Sequence, residues 1–214
     1  RQLSEFGQEH HDDDVGLRGD FGDGFAGLRV DYYRAEMSSM SPGVIPSYWG
    51  ELLPGDLVLM DVAMDELRLS WVEPVTSFAT TFRDEDLTFR FAAGGLLTYR
   101  DMKMRARTDD GARRQNVAID GETVSATGRM RATWRNLAFD LDYAVCPDLV
   151  LGGDLGEVNQ DLELRFEYAV PLRAVTFYAG YRYSTMDADG RAGILGYAAT
   201  LELDGFQFGM TVTL

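Results

Sequence analysis

From residue 122 to 145 the chain alternates: Val124, Ala126, Gly128, Met130, Ala132 and Trp134 are interleaved with Ser125, Thr127, Arg129, Arg131, Thr133 and Arg135. A period of two, not 3.6, predicts β-strand. Beyond Arg135-Asn136 the apolar set resumes at Leu137, Phe139, Leu141, Tyr143 and Val145, with Ala138, Asp140, Asp142 and Ala144 between. A two-residue turn would place Trp134 opposite Leu137 on one face. The same parity test passes at Asp204-Gly205, between Leu203 and Phe206, and at Asp23-Gly24, where Gly22 and Phe25 share the face of Arg18, Asp20, Arg29 and Asp31. It passes again at Pro171-Leu172, linking Leu162, Leu164, Phe166, Tyr168 and Val170 to Val175, Phe177, Ala179, Tyr181 and Tyr183.

In the middle of the chain, residues 57–82 read as two strands broken near Pro74, and residues 86–107 as two more broken near Gly94-Gly95. The expectation is an all-β, up-and-down antiparallel barrel of about twelve strands, with eight or ten as alternatives at the uncertainty of single-sequence boundaries. Longer connections fall near 38–56, 106–121 and 146–159. The first carries Pro42, Pro46, Pro54 and Trp49 and reads either as a compact loop folded into a mouth or as a surface loop. No sequence repeat or low-complexity linker divides the chain, so residues 1–13 read as an acidic tail and 14–214 as one domain.

Composition then narrows the class. A formal charge of −15 argues against nucleic acid, whose phosphates need clustered Lys and Arg. No stretch approaches 18 apolar residues, which excludes a membrane helix but not a membrane strand. Starting at Arg1 with no basic head or apolar core, the sequence reads as a mature form, which points to export. A soluble barrel turns its apolar face inward; an outer-membrane barrel turns it to lipid and lines the interior with charge. The polar face here collects Arg18, Asp20, Arg29, Asp31, Arg90, Arg129, Arg131, Asp140, Asp142, Glu163, Arg165, Glu167, Arg182 and Glu202, mixed in sign on neighbouring strands. Tyr32, Trp71, Trp134, Tyr143, Tyr168 and Tyr183 lie mostly near strand ends, where interfacial aromatic girdles belong. The transmembrane barrel is therefore expected, and a soluble or peripheral barrel holding an apolar ligand is the alternative.

The ending Gln207-Phe208-Gly209-Met210-Thr211-Val212-Thr213-Leu214 resembles the C-terminal assembly signal of bacterial outer-membrane β-barrels: a polar residue, a glycine, then alternating hydrophobics. Members of that class usually end in Phe or Trp, from which Leu214 departs. The resemblance implies a last strand, with Gln207, Gly209, Val212 and Leu214 as its signal, that the barrel-insertion machinery recognises and that closes against the first. It also implies the outer membrane of a Gram-negative-type bacterium, contact with its lipid and lipopolysaccharide, and envelope proteins as further partners.

Chemistry is sparse. Barrel enzymes of the outer membrane commonly pair a His with a Ser or carboxylates, but the only histidines, His10 and His11, precede the first expected strand. Asp140 and Asp142 beside Arg129 and Arg131 read as ion-paired structure. The run 10–14 has metal-ligand residue types but adjacent ligands cannot all converge, and 187–190 lacks the remaining ligands of a calcium loop and reads as a turn. The glycine-rich stretches 92–95 and 151–156 do not fit a phosphate loop. Cys146 has no internal partner and reads as a bystander thiol or a point of intermolecular attachment. No cofactor or metal is expected. The expected function is a noncatalytic barrel, either a narrow pore for small solutes or a structural component of an envelope assembly, with the interior charge network Arg129, Arg131, Asp140, Asp142, Glu163, Arg165, Glu167, Arg182 and Glu202.

Overall fold

The computed structural model describes residues 10–39, 41–45, 48–146, 150–153, 160–171, 174–192 and 195–212. Their regular structure is all β: β1 (His10–Gly22), β2 (Gly27–Ser38), β3 (Gly43–Val44), β4 (Leu57–Phe82), β5 (Glu85–Thr108), β6 (Arg114–Trp134), β7 (Leu137–Val145), β8 (Val150–Gly153), β9 (Gln160–Ala169), β10 (Val175–Ala192) and β11 (Leu195–Val212). Pairing is antiparallel throughout, in the order β1-β2-β4-β5-β6-β7-β9-β10-β11; β3 continues the line of β2 beside β4, and β8 that of β7 beside β6. The edge strands β1 and β11 point the same way, and no ladder joins them among the described residues. β1 starts at His10, ahead of the expected end of the tail.

Three expected breaks are absent. At Pro74, which has no N–H to donate, β4 forms a bulge at Pro74/Thr76 and continues. Gly94-Gly95 lies inside β5, where a Cβ on Gly94 would come within 1.9 Å of the Trp71 carbonyl oxygen, so glycine is what lets β4 and β5 approach. At Asp204-Gly205 no hairpin forms: β11 runs straight through, with Tyr183↔Asp204 and Arg182↔Gly205 as ladder partners. Likewise residues 187–190 lie within β10, and of the connection expected at 106–121 only 109–113 is outside strands.

The turns that do form explain the register. Trp134 pairs with Leu137 as the parity test requires. The β4–β5 hairpin turns on Arg83-Asp84, with φ of 50° and 61°, the left-handed pair of a primed two-residue turn. Between β1 and β2 the turn is longer, pairing Gly22 with Gly27, and the Asp23 carboxylate accepts from the N–H groups of Phe25 (2.9 Å) and Ala26 (2.7 Å). β9 and β10 likewise pair Tyr168 with Phe177. Both registers lie two residues from those of two-residue turns, a displacement that leaves every side chain on its expected face.

The sheet curls so that one face is enclosed, and the enclosed face changes character along the strands. On β4 the buried positions run Val58, Met60, Val62, Met64 and then Glu66, Arg68, Ser70, while Leu67, Leu69 and Trp71 are exposed outside. On β5 the order mirrors this: Thr98 and Arg100 are enclosed behind exposed Leu97 and Tyr99, then Met102, Met104 and Ala106 behind exposed Lys103, Arg105 and Arg107. β2 passes from buried Arg29 to buried Ala35 and Met37, and β11 from exposed Phe206, Phe208, Met210 and Val212 to Leu203, packed on the inner core. The switch is level across neighbours, since Tyr33 pairs with Glu66 and Glu66 with Arg100. Near the tight turns the wall is charged inside and apolar outside; near the longer connections it is the reverse.

The apolar inner zone gathers Ala35, Met37, Val58, Met60, Val62, Met64, Met102, Met104, Ala106, Val117 and Ile119. The connection after β2 enters it: Ile45 and Leu52 are buried there, with Trp49 packed alongside, so the compact-loop alternative is the observed one. An ion pair from Arg113 to Asp56 ties this connection to the β5–β6 turn.

Candidate functional site

Alternation on eight strands directs a second, charged zone into the same interior, on the tight-turn side of the apolar one. Arg131 holds Asp140 through two bonds of 2.6 Å and reaches Glu167 at 3.2 Å. Arg129 donates to Asp142 at 2.6 Å, and Arg29, from β2, reaches the other oxygen of Asp142 at 2.7 Å. Arg18 on β1 pairs with Glu163 on β9 at 2.8 Å. Arg182 on β10 reaches Glu66 on β4 at 2.6 Å and also binds Asp161. Arg100 pairs with that same Glu66 and donates to Ser184 at 3.0 Å; Arg165 pairs with Glu167. Some of these contacts link ladder neighbours, while Arg29–Asp142, Arg18–Glu163, Arg182–Glu66 and Arg100–Ser184 join strands far apart in the hydrogen-bonded order, across the enclosed space.

The zone balances. Among the described residues, eight arginines (18, 29, 68, 100, 129, 131, 165, 182) meet eight carboxylates (Asp20, Asp31, Glu66, Asp140, Asp142, Asp161, Glu163, Glu167). The chain's excess of negative charge therefore resides elsewhere. Opposite charges on facing strands give each buried ion a partner, the condition under which burial is tolerated. The end of the zone is stoppered by the β1–β2 turn: Phe25 is 1% exposed, its ring lies under the Arg90 guanidinium at 4.6 Å, and its carbonyl accepts from Arg129. In that turn Asp23 also binds Arg90. Partial burial pushes the Asp23 carboxyl up, but the Ala26 N–H, Arg90 and the Phe25 N–H together hold it at about 2.

Of the expected network, Arg129, Arg131, Asp140, Asp142, Glu163, Arg165, Glu167 and Arg182 come together. Glu202 does not: with β11 unbroken at 204–205, it falls on the outer face and is exposed. Glu66, Arg68, Arg100 and Asp161 were missed, although Glu66, Arg68 and Ser70 alternate with Leu67, Leu69 and Trp71 in plain view. In the C-terminal strand Gln207 and Gly209 face inward and Val212 outward; Leu214 lies outside the described residues. A Cβ on Gly209 would overlap the Tyr178 ring, which packs against the Arg165 guanidinium at 4.2 Å. Cys146 is buried at 2%. The side chains of 10–14 and 187–190 lie outside the described set.

No protein family, no curated protein and no solved structure matches the chain.

Proposed function

We propose that the chain is a noncatalytic outer-membrane β-barrel with a filled interior, a structural component of the envelope and not a wide pore. The polarity inversion along single strands carries this reading. A soluble barrel buries apolar residues along its whole length, and a barrel wholly within a bilayer buries polar ones. A wall that follows one rule and then the other suits a barrel that leaves lipid and stands into water. Length agrees: β4 has 26 residues, against about 9–11 needed to cross a bilayer. Exposed Leu67, Leu69, Trp71, Phe166, Phe206 and Phe208 would each gain about 1.5–3 kcal/mol from burial in lipid.

The wall closes between β1 and β11, a reading that the Arg18–Glu163 pair supports by bridging β1 to β9. With nine strands in the paired path these edges meet in parallel, where single-chain bacterial barrels have even numbers. The turns at 23–26, 83–84, 135–136 and 170–174 share one end with Val212, and at the other end the long connections 39–56 and 146–159 stand beside the shorter 109–113 and 193–194. The longest connections thus lie opposite the end that carries Val212, as outer loops lie opposite periplasmic turns in bacterial barrels. Phe208, Met210 and Val212 then present the lipid face that the insertion machinery reads.

Detergent dependence and conductance test the proposal together. The folded chain should require detergent, migrate with heat-modifiable mobility and pass little current in planar bilayers. A folded monomer in plain buffer would overturn the membrane assignment, and large stable channels would make it a pore. Replacing Arg129 and Arg131 by Ala leaves Asp140 and Asp142 underpaired, so currents should become larger or more cation-selective.

A further inference from the structure

We infer that the outer face of β5 and β6, above the apolar belt, is a binding site for the phosphorylated saccharide of a surface glycolipid, an inference that rests on the membrane reading just proposed. Arg107 on β5 and Arg114 on β6 are direct ladder partners, and Arg105 lies two residues from Arg107 on the same face, opposite Asn116. All three are exposed. Like charges directly across a ladder repel, their Cβ atoms roughly 4.5–5.5 Å apart. In a chain with 35 acidic residues, no hydrogen bond or ion pair joins these arginines to a carboxylate among the described residues. The acidic neighbours along and across the ladder are Asp61, opposite Arg105, Asp109, two residues beyond Arg107 in the β5–β6 turn, and Asp101, which is bonded to Lys103 at 2.9 Å. Two guanidinium forks side by side, with a third adjoining, match the geometry of phosphate oxygens. An anion between Arg107 and Arg114 turns a repulsive pair into a favourable one.

Height selects the ligand. The last aromatic of the belt on β5 is Tyr99, exposed on the same face. From there to Arg105 and Arg107 is about 20–26 Å along the strand at ~3.3 Å per residue, or roughly 15–20 Å vertically at a tilt near 40°. The polar layer of a phospholipid bilayer extends only about 5–7 Å beyond the hydrocarbon on each side. Glycerophospholipid phosphates therefore lie too low for these arginines. A glycolipid that carries phosphate on an oligosaccharide reaches them while its acyl chains lie against Leu97 and Tyr99.

The test titrates the folded barrel in nonionic detergent with a lipopolysaccharide bearing a phosphorylated core, and with the same glycolipid after chemical dephosphorylation. Phosphatidylglycerol nanodiscs and inorganic phosphate are the comparison probes. The phosphorylated glycolipid should bind at least tenfold more tightly than any of the others. Arg105→Gln/Arg107→Gln/Arg114→Gln should lower its affinity to the dephosphorylated level and reduce the salt dependence, while Arg83→Gln at the opposite end changes neither. Heat-modifiable migration verifies that each variant is folded. The inference fails if the triple variant binds like the parent, if dephosphorylation makes no difference, or if phosphatidylglycerol or free phosphate binds equally well. A chain that stays folded without detergent sinks the underlying membrane reading; a detergent-requiring chain with indifferent arginines sinks this inference alone.

Discussion

Glu66→Gln is the sharpest probe of the interior. Glu66 is 1% exposed and is shared by Arg100 and by Arg182, the latter at 2.6 Å. Asp161, the next carboxylate, already binds Arg182 and stands 3.3 Å from Arg68, so it cannot absorb the released charge without loosening those contacts. The substitution keeps the shape and one acceptor oxygen but leaves the enclosed zone with one net positive charge. Breaking a buried pair by removing one partner costs about 3–5 kcal/mol. Because the amide oxygen still receives one guanidinium, the lower end applies, about 3 kcal/mol. At a denaturant slope near 3 kcal/mol/M in urea, the unfolding midpoint should fall by about 1 M, followed by tryptophan fluorescence after refolding into detergent or lipid. Glu122→Gln, on an exposed outer position of β6, should stay within about 0.5 kcal/mol of the parent. Adding Arg182→Met to Glu66→Gln should cost less than the sum of the two singles, because the second change removes part of the unbalanced charge. Equal stability of Glu66→Gln and Glu122→Gln, or strict additivity of the pair, would refute the claim that a charge-paired network holds the interior.

Three further outcomes follow from the geometry. Met210→Asp and Val212→Asp should reduce bilayer assembly far more than Thr211→Asp, since the first two side chains are exposed outward and Thr211 faces the interior beside Arg165; Arg or Lys at a bilayer midplane costs about 2–4 kcal/mol and Asp somewhat less, and equal insertion yields for all three would contradict the facing. Met64→Ala, in the apolar inner zone, should destabilise by about 2–5 kcal/mol in detergent and bilayer alike, whereas Leu69→Asp on the outer belt should act mainly in lipid; parallel losses in both media for both variants would remove the inversion. Asp23→Asn should change the acid limb of the unfolding curve: the Asp23 carboxyl is held at about 2, below the ordinary ~3.9, so its contribution is present above pH ~4 and is lost as pH falls toward 2. Superimposable acid limbs for parent and variant would deny that contribution.

Part of this was legible in one dimension. Alternation along 122–145 is a local property of a pleated backbone, and it identified the hairpin at Arg135-Asn136 and the faces of Arg129, Arg131, Asp140 and Asp142, all of which the structure contains. Parity determines a face but leaves register open by multiples of two, and for that reason the β1–β2 and β9–β10 ladders could move by two residues without turning a side chain over. Asp204-Gly205 misled for a related reason. The apolar set there changes parity, from Leu203 to Phe206, which a turn would explain; in fact the strand continues and the meaning of "inside" changes. The same slip occurs between Met64 and Leu67 and between Tyr99 and Met102. A single strand carries no information on what lies beyond each of its faces. Only when β2, β4 and β5 are set side by side do the changes on these strands fall at one level, with Tyr33, Glu66 and Arg100 in register. Cross-interior pairs such as Arg182–Glu66, 116 positions apart in the chain, exist only through the curl of the whole sheet. Local periodicity decided strand and face; the environment on each side, which decides where charge can be buried, belongs to the tertiary structure.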